Sequence, residues 1–212
     1  MRQNDTDIYS RVEGPLSLAL QEIGARSRGL GASWLIGGST GLLLQDVPLA
    51  APPRDLDLYA DKEAAALLHQ ALLPWSTDLQ EESETGMYRS ILSHYEIAGV
   101  AVELVGAFEV RTAVSRYCVE ADYLRAKHAL LLDIGQGIET ALMPLAHELL
   151  FNLLRGRPDR YEAIAAVLRS RQDPRELAAL SDLLSRNWFG TEAAAYCRAV
   201  LGRIPWNGEA GG

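Results

Sequence analysis

The chain is poor in the features that most quickly assign a protein to a class. It has two cysteines in 212 residues, Cys118 and Cys197. They lack metal-ligand spacing and the local signature of a nucleophile, so a disulfide scaffold and a zinc module are both excluded, and reduced thiols are the expectation. No run of about 18 uncharged apolar residues is present, which excludes an evident membrane span. The first residues, Met1 to Asp7, are polar and acidic and do not read as a signal peptide, so a cytoplasmic protein is expected. There is no excess of basic charge either: 20 Lys and Arg against 28 Asp and Glu leave a net charge of −8. A protein that grips nucleic-acid backbone by counterion release carries a basic face, so the balance favours small-molecule or protein substrates. His69, His94, His128 and His147 are scattered and do not read as metal ligands.

The pattern of apolar residues and breakers gives the layout. Residues 15–26 read as a helix with Pro15 near its start. Trp34 to Gly37 reads as a buried strand and Thr40 to Gln45 as a helix. Asp46 to Arg54, with Pro48, Pro52 and Pro53, reads as a loop. Leu56 to Ala60 is a second strand and Lys62 to Leu73 a helix. The acidic cluster Asp78 to Glu84 reads as a solvated loop. Met87 to Ile97 and Val100 to Phe108, separated by Ala98-Gly99, form a hairpin signal. A helix over 121–132 and a strand over 138–142 follow. From Pro144 onward the pattern is helical, over 144–155, 159–170, 174–186 and 191–202. The expectation is an α+β class: a mixed sheet flanked by helices over residues 1–142, a C-terminal helical module over 143–204, and a disordered tail at 205–212.

Three short segments carry chemistry. Asp55 and Asp57 lie two apart on a predicted strand, so both project from one face, about 7 Å apart along the backbone. Leu56 and Leu58 then point into the core. Paired carboxylates on a rigid face can share magnesium ions, which take oxygen ligands and keep positions for phosphate. Glu103 is the single charge in the apolar run Val100 to Gly106, and a carboxylate on such a strand is costly unless it meets a cation or a metal. The third segment is Gly37-Gly38-Ser39, where glycines allow close approach to phosphate oxygens, the following helix directs N–H groups at an anion, and the serine adds a donor.

Together, Gly-Gly-Ser, Arg54-Asp-Leu-Asp-Leu58 and the strand bearing Glu103 resemble the nucleotidyltransferase superfamily that includes DNA polymerase β. The proline-containing loop and Arg54 are similar to the small lincosamide-type antibiotic nucleotidyltransferases and the AbiEii-like toxin group. The resemblance covers roughly residues 20–110, with a weaker echo over Pro144 to Arg160. There Arg157-Pro158-Asp159 keeps part of the pattern, and Asn152 stands where a lysine is expected. The resemblance implies a nucleotidyltransferase-like fold and transfer of a nucleoside monophosphate from an NTP to a hydroxyl acceptor. It implies Asp55, Asp57 and Glu103 as the catalytic and metal-binding acids, two Mg2+ ions as cofactors, and Gly37, Gly38, Ser39, Arg54 and Arg157 at the nucleotide, with Arg155 an alternative cation. The acceptor, a small molecule or an RNA or protein in a toxin-like role, is left open, as are the oligomeric state and which NTP is used.

Two rival readings remain. A Rossmann oxidoreductase would use the glycine turn for a dinucleotide and Tyr123 and Lys127 as a Tyr-x-x-x-Lys pair, but the turn lacks its closing glycine and Tyr123 and Lys127 read as an ordinary helix surface. A catalytically degenerate nucleotide-binding or protein-binding module of the same fold is the other. A P-loop is excluded, because no Gly-Lys-Ser/Thr follows the turn.

Overall fold

A computed structural model describes residues 14–134 and 138–202. The expectations for Met1 to Asp7 and for the tail at 205–212 lie outside the described residues. Among the described residues, no helix is long and apolar enough to cross a membrane.

The first helix, α1 (Pro15–Ser27), buries Ala19, Leu20 and Ile23 on one face. The chain then runs through β1 (Leu35–Gly37), the short helix α2 (Gly38–Leu44), and a loop to β2 (Asp55–Ala60) and α3 (Lys62–Leu72). Strands β3 (Glu81–Thr85), β4 (Tyr88–Ile97), β5 (Val100–Arg111) and β6 (Arg116–Cys118) follow, then α4 (Ala121–Lys127), β7 (Leu130–Asp133) and β8 (Glu139–Leu142). Four helices complete the described chain: α5 (Leu145–Leu154), α6 (Pro158–Arg171), α7 (Pro174–Arg186) and α8 (Thr191–Leu201).

The strands form one mixed sheet in the order β3-β4-β5-β2-β1-β8-β7, with β6 on β5. β2 runs antiparallel to β1 and parallel to β5. The antiparallel β1–β2 pair removes the Rossmann reading, since a dinucleotide turn joins parallel strands through a crossover. The β4–β5 hairpin closes at Ala98 and Gly99 with φ of 53° and 77°, the positive values that a two-residue hairpin turn requires to match strand twist.

Alternation along β2 decides what each face of the sheet does. Leu56 and Leu58 pack with Leu20, Ile23, Leu68 and Leu104 beneath α1 and α3. Asp55, Asp57 and Tyr59 take the opposite face, where Tyr59 joins Phe108 and Leu149. α5 is covered on nearly every side: Leu145 through Asn152 are all buried. Its apolar residues pack against Ile164 and Leu168 of α6 and Leu180 and Leu183 of α7. Met143, between β8 and α5, donates its N–H to Ile36 O at 2.8 Å, which ties the start of α5 to β1.

Two expectations need correction. The helix expected over 121–132 ends at Lys127, and Leu130–Asp133 is strand β7, paired antiparallel with β8. Three consecutive leucines carry good helix propensity, but β8 offers a ladder partner, and tertiary pairing overrides propensity. The acidic cluster read as a loop contributes strand β3, an exposed edge strand paired with β4. Its glutamates suit an edge, because charged side chains discourage further strand addition.

Buried acids set the pH response of this packing. Glu176, near the start of α7, is buried and accepts the Ala146 N–H at 3.1 Å. Burial pushes its carboxyl up to about 7 from an ordinary 4.5. A raised carboxyl stabilises the fold fully below its unfolded value, and the contribution is lost as pH rises through about 7. In denaturant titrations the wild type will therefore lose stability relative to Glu176→Gln between pH 5 and pH 8, by on the order of 2 kcal/mol. A difference that is flat across this range would show that the buried acid does not titrate as described.

Candidate active site

The three sequence-predicted acids come together on one face of the sheet. Asp57 on β2 is in register with Glu103 on β5, and Asp55 is in register with Ala101. Parallel neighbours in register point the same way, so Asp57 and Glu103 share a face, and Asp55 joins them by the two-residue period. Asp55 is exposed and Asp57 partly buried. Three like charges in this setting shift the most enclosed of them. Burial first, then Asp55 and Glu103, push the Asp57 carboxyl up to about 7 from 3.8, against the opposing pull of Arg155 and Arg160.

Glu103 lies on an interior strand, between β4 and β2, with its side chain half-exposed. Its other neighbour in register is His94 of β4, whose Nε2 stands 3.6 Å from Glu103 Oε2. His94 is held by Asp78, which accepts its backbone N–H at 2.8 Å and hydrogen-bonds Nδ1 with its second oxygen. Nothing in the local sequence marks His94, one of four scattered histidines, or Asp78, in an acidic cluster that reads as a solvated loop. The β4–β5 register is what brings them to the acids. Asp55, Asp57, His94 and Glu103 line a groove of about 430 Å3.

The glycine turn abuts this group. Gly37 ends β1 in register with Asp57, and Gly38 has φ of +59°. A Cβ on Gly38 would lie 1.7 Å from Asp57 Oδ2, so glycine is required twice, for the backbone angle and for the approach of the acid. Thr40 Oγ1 donates to Asp55 O at 2.8 Å and fixes α2 to the start of β2.

The donors expected for a phosphate are arranged differently from the sequence reading. The Gly38 N–H donates to Glu148 Oε1 of α5 at 2.7 Å. Glu148 is fully enclosed, and burial first, with Asp57 contributing, pushes its carboxyl up to about 7 from 4.5, against the Gly38 hydrogen bond. Asn152, at the place where a lysine was expected, is buried. It donates Nδ2–H to Glu148 O at 2.7 Å and Oε2 at 3.3 Å, and accepts from Arg155 at 2.7 Å and 3.1 Å. Ser39 Oγ accepts from Arg160 of α6 at 3.0 Å. Arg54 is exposed just ahead of Asp55, and Arg157 pairs with Asp159 at the surface, 2.7 Å apart. Arg155 and Arg160 are cations whose charge opposes the rise at Asp57. Glu148 and Arg160 were missed by sequence reasoning. An acid inside the apolar stretch Leu145 to Phe151 was a signal for Glu148, but nothing local pointed to its partner 110 residues away.

No protein-family model matches the chain, and no curated protein matches its sequence. Among solved structures it is similar to TM1012 of Thermotoga maritima, a candidate nucleotidyltransferase. That match has 22% identity and a TM-score of 0.56, and covers 71% of this chain and 91% of that one. The chain has the nucleotidyltransferase fold. A looser likeness, with 12% identity and a TM-score of 0.46 over 78% of this chain and 97% of the other, is to ANT(2")-Ia in complex with adenylyl-2"-tobramycin. The fold assignment rests on the first match, and on it the expected mixed sheet with flanking helices holds.

The close fit of the nucleotidyltransferase-fold turn is open to test at Gly38. Gly86 has the same φ of +59° but open space around its missing Cβ. Gly86→Ala should cost about 1 kcal/mol, the left-handed penalty alone. Gly38→Ala should cost about 3 kcal/mol or more, because it adds a clash with Asp57. Equal losses in denaturant titrations of the two variants would remove the claimed approach.

Proposed function

We propose that the chain is a magnesium-dependent nucleotidyltransferase that moves a nucleoside monophosphate from an NTP to an acceptor hydroxyl. The observation that carries this reading is the register that sets Asp55, Asp57 and Glu103 on one face beside the Gly38 turn. The fold, shared with TM1012, agrees with it.

The donor set suits magnesium bound together with a triphosphate. All three acids offer hard oxygen ligands, and Mg2+ on a nucleotide is held by one or two carboxylates while phosphate and water complete the shell. Among the described residues, no three His, Cys, Asp or Glu side chains close on one point to form a cage. Like-charge repulsion and burial at Asp57 supply a further reason for a cation there.

In this reading Asp55 and Asp57 hold two Mg2+ ions, with Glu103 either completing the set or accepting the proton of the acceptor hydroxyl. When bound, magnesium supplies positive charge to the triphosphate and lowers the pKa of the attacking hydroxyl. The acceptor oxygen forms a bond to the α-phosphorus, and the bond to the pyrophosphate oxygen breaks. Arg155 and Arg160 add positive charge on the same side, and catalysis is mainly positioning and charge neutralisation. The acceptor is a small molecule, or an RNA or protein in a toxin-like role. Arg54, exposed one residue before Asp55, is assigned to the nucleotide as a further cation.

A second reading, a nucleotide-binding or protein-binding module with its chemistry lost, is favoured by the use of Asn152 and Gly38 in an internal network instead of at an open phosphate site. The two readings separate on pyrophosphate release in the presence of candidate acceptors. For the metal assignment, the four NTPs should stabilise the wild type in thermal-shift titrations only when magnesium is present. Asp57→Asn should weaken that binding by about tenfold or more. Magnesium-dependent binding that survives unchanged in Asp57→Asn would end the assignment.

A further inference from the structure

Glu148 is a carboxylate in the middle of the most buried helix, and its oxygens are committed. Oε1 accepts the Gly38 N–H at 2.7 Å and Oε2 accepts from Asn152 at 3.3 Å. The turn is shaped around it. A Cβ on Gly37 would lie 2.9 Å from Glu148 Oε1 and 2.6 Å from the Tyr59 ring, so the bare glycine admits this side chain. An amide has one hydrogen. A phosphate oxygen arriving at Gly38 would have to displace the carboxylate and would meet its charge in a poorly solvated place. A different pair is presented nearby. Ser39 Oγ and the Arg160 guanidinium are 3.0 Å apart, both partly exposed, and Arg160 acts on the same Asp57 carboxylate. A guanidinium carries five N–H donors in a planar fork suited to phosphate.

We propose that Glu148 is the resident anion of the glycine turn, and that a nucleotide's phosphate chain is held outside it, by Ser39 and Arg160, instead of by the Gly38 N–H. This rests on the nucleotidyl-transfer reading and deepens it. Glu148 is then a positioning residue that shapes the turn and also sets an upper limit on phosphate affinity, because its charge opposes the ligand it helps to seat. Asn152 and Arg155 moderate that charge from the far side.

The test is calorimetric titration of the full chain with magnesium-ATP and with inorganic tripolyphosphate at pH 8, above the value of about 7 to which burial raises the Glu148 carboxyl, so that the wild type carries the charge. Arg160→Ala should weaken both by about tenfold, and Arg160→Lys should recover part of the loss for want of the fork. Glu148→Gln keeps a carbonyl oxygen for Gly38 but removes the charge, so it should bind tripolyphosphate about threefold or more tighter. A purely structural Glu148 predicts the opposite, weaker binding in a less stable protein. In Glu148→Ala the Gly38 amide proton should move upfield in NMR spectra, which reads the hydrogen bond without any ligand. If the wild type binds magnesium-NTP, but Arg160→Ala and Glu148→Gln leave affinity unchanged, this proposal fails and the nucleotidyl-transfer reading stands. If the wild type binds no magnesium-NTP, both fail.

Discussion

The parallel pairing of β2 with β5 is the constraint on which the rest depends. Because strand side chains alternate, one register places Asp57 beside Glu103 on one face and Leu56 and Leu58 beside Val102 and Leu104 on the other. A slip of β2 by one residue would turn Asp55 and Asp57 into the core beneath α1 and α3 and bring Leu56 and Leu58 out of it. The apolar face therefore enforces the polar one. Hydrophobic burial, which has no direction of its own, sets the face on which Asp55, Asp57 and Glu103 lie because it is coupled to the ladder.

Built onto that face is a polar network that crosses the molecule. It runs from the Gly38 amide through Glu148 and Asn152 to Arg155, joining the strand-to-helix turn to α5 and the loop beyond it. Such a network is costly if any member is left unpaired and specifying when all are satisfied. Here it links the seating of the C-terminal helices to the shape of the turn beside Asp57. The second link, Arg160 to Ser39, does the same from α6. The helices over residues 145–201 thus contribute to the site both by covering the sheet and by supplying the anion and the cations that surround the turn.

Much of this was legible in the chain. The Asp-x-Asp spacing, the lone Glu103 in an apolar strand and the glycine pair each have a local cause, and the residues that carry them lie where their patterns placed them. The β4–β5 hairpin was equally plain, because Ala98-Gly99 separates two strand-like runs. Elements whose state depends on a distant partner were not legible. Leu130–Asp133 has no local preference for a strand and becomes one only against β8. Glu81–Thr85 is polar throughout and is ordered by β4. His94 is one of four scattered histidines, and only the β4–β5 register sets it across from Glu103.

By itself the sequence determined the alternation that separates acids from core, the turn that only glycine can make, and the strand face that Asp55 and Asp57 share, since all of these follow from periodicity and backbone sterics within a few residues. Only the tertiary structure decided which groups answer them. It gave the Gly38 amide to Glu148 rather than leaving it open, sent Arg157 to the surface with Asp159, and brought Arg160 to Ser39. For the Gly38–Glu148 and Ser39–Arg160 contacts the physical reason is the same. A hydrogen bond or a charge contact is chosen by distance in space, and over separations of 110 and 121 residues no local pattern encodes that distance.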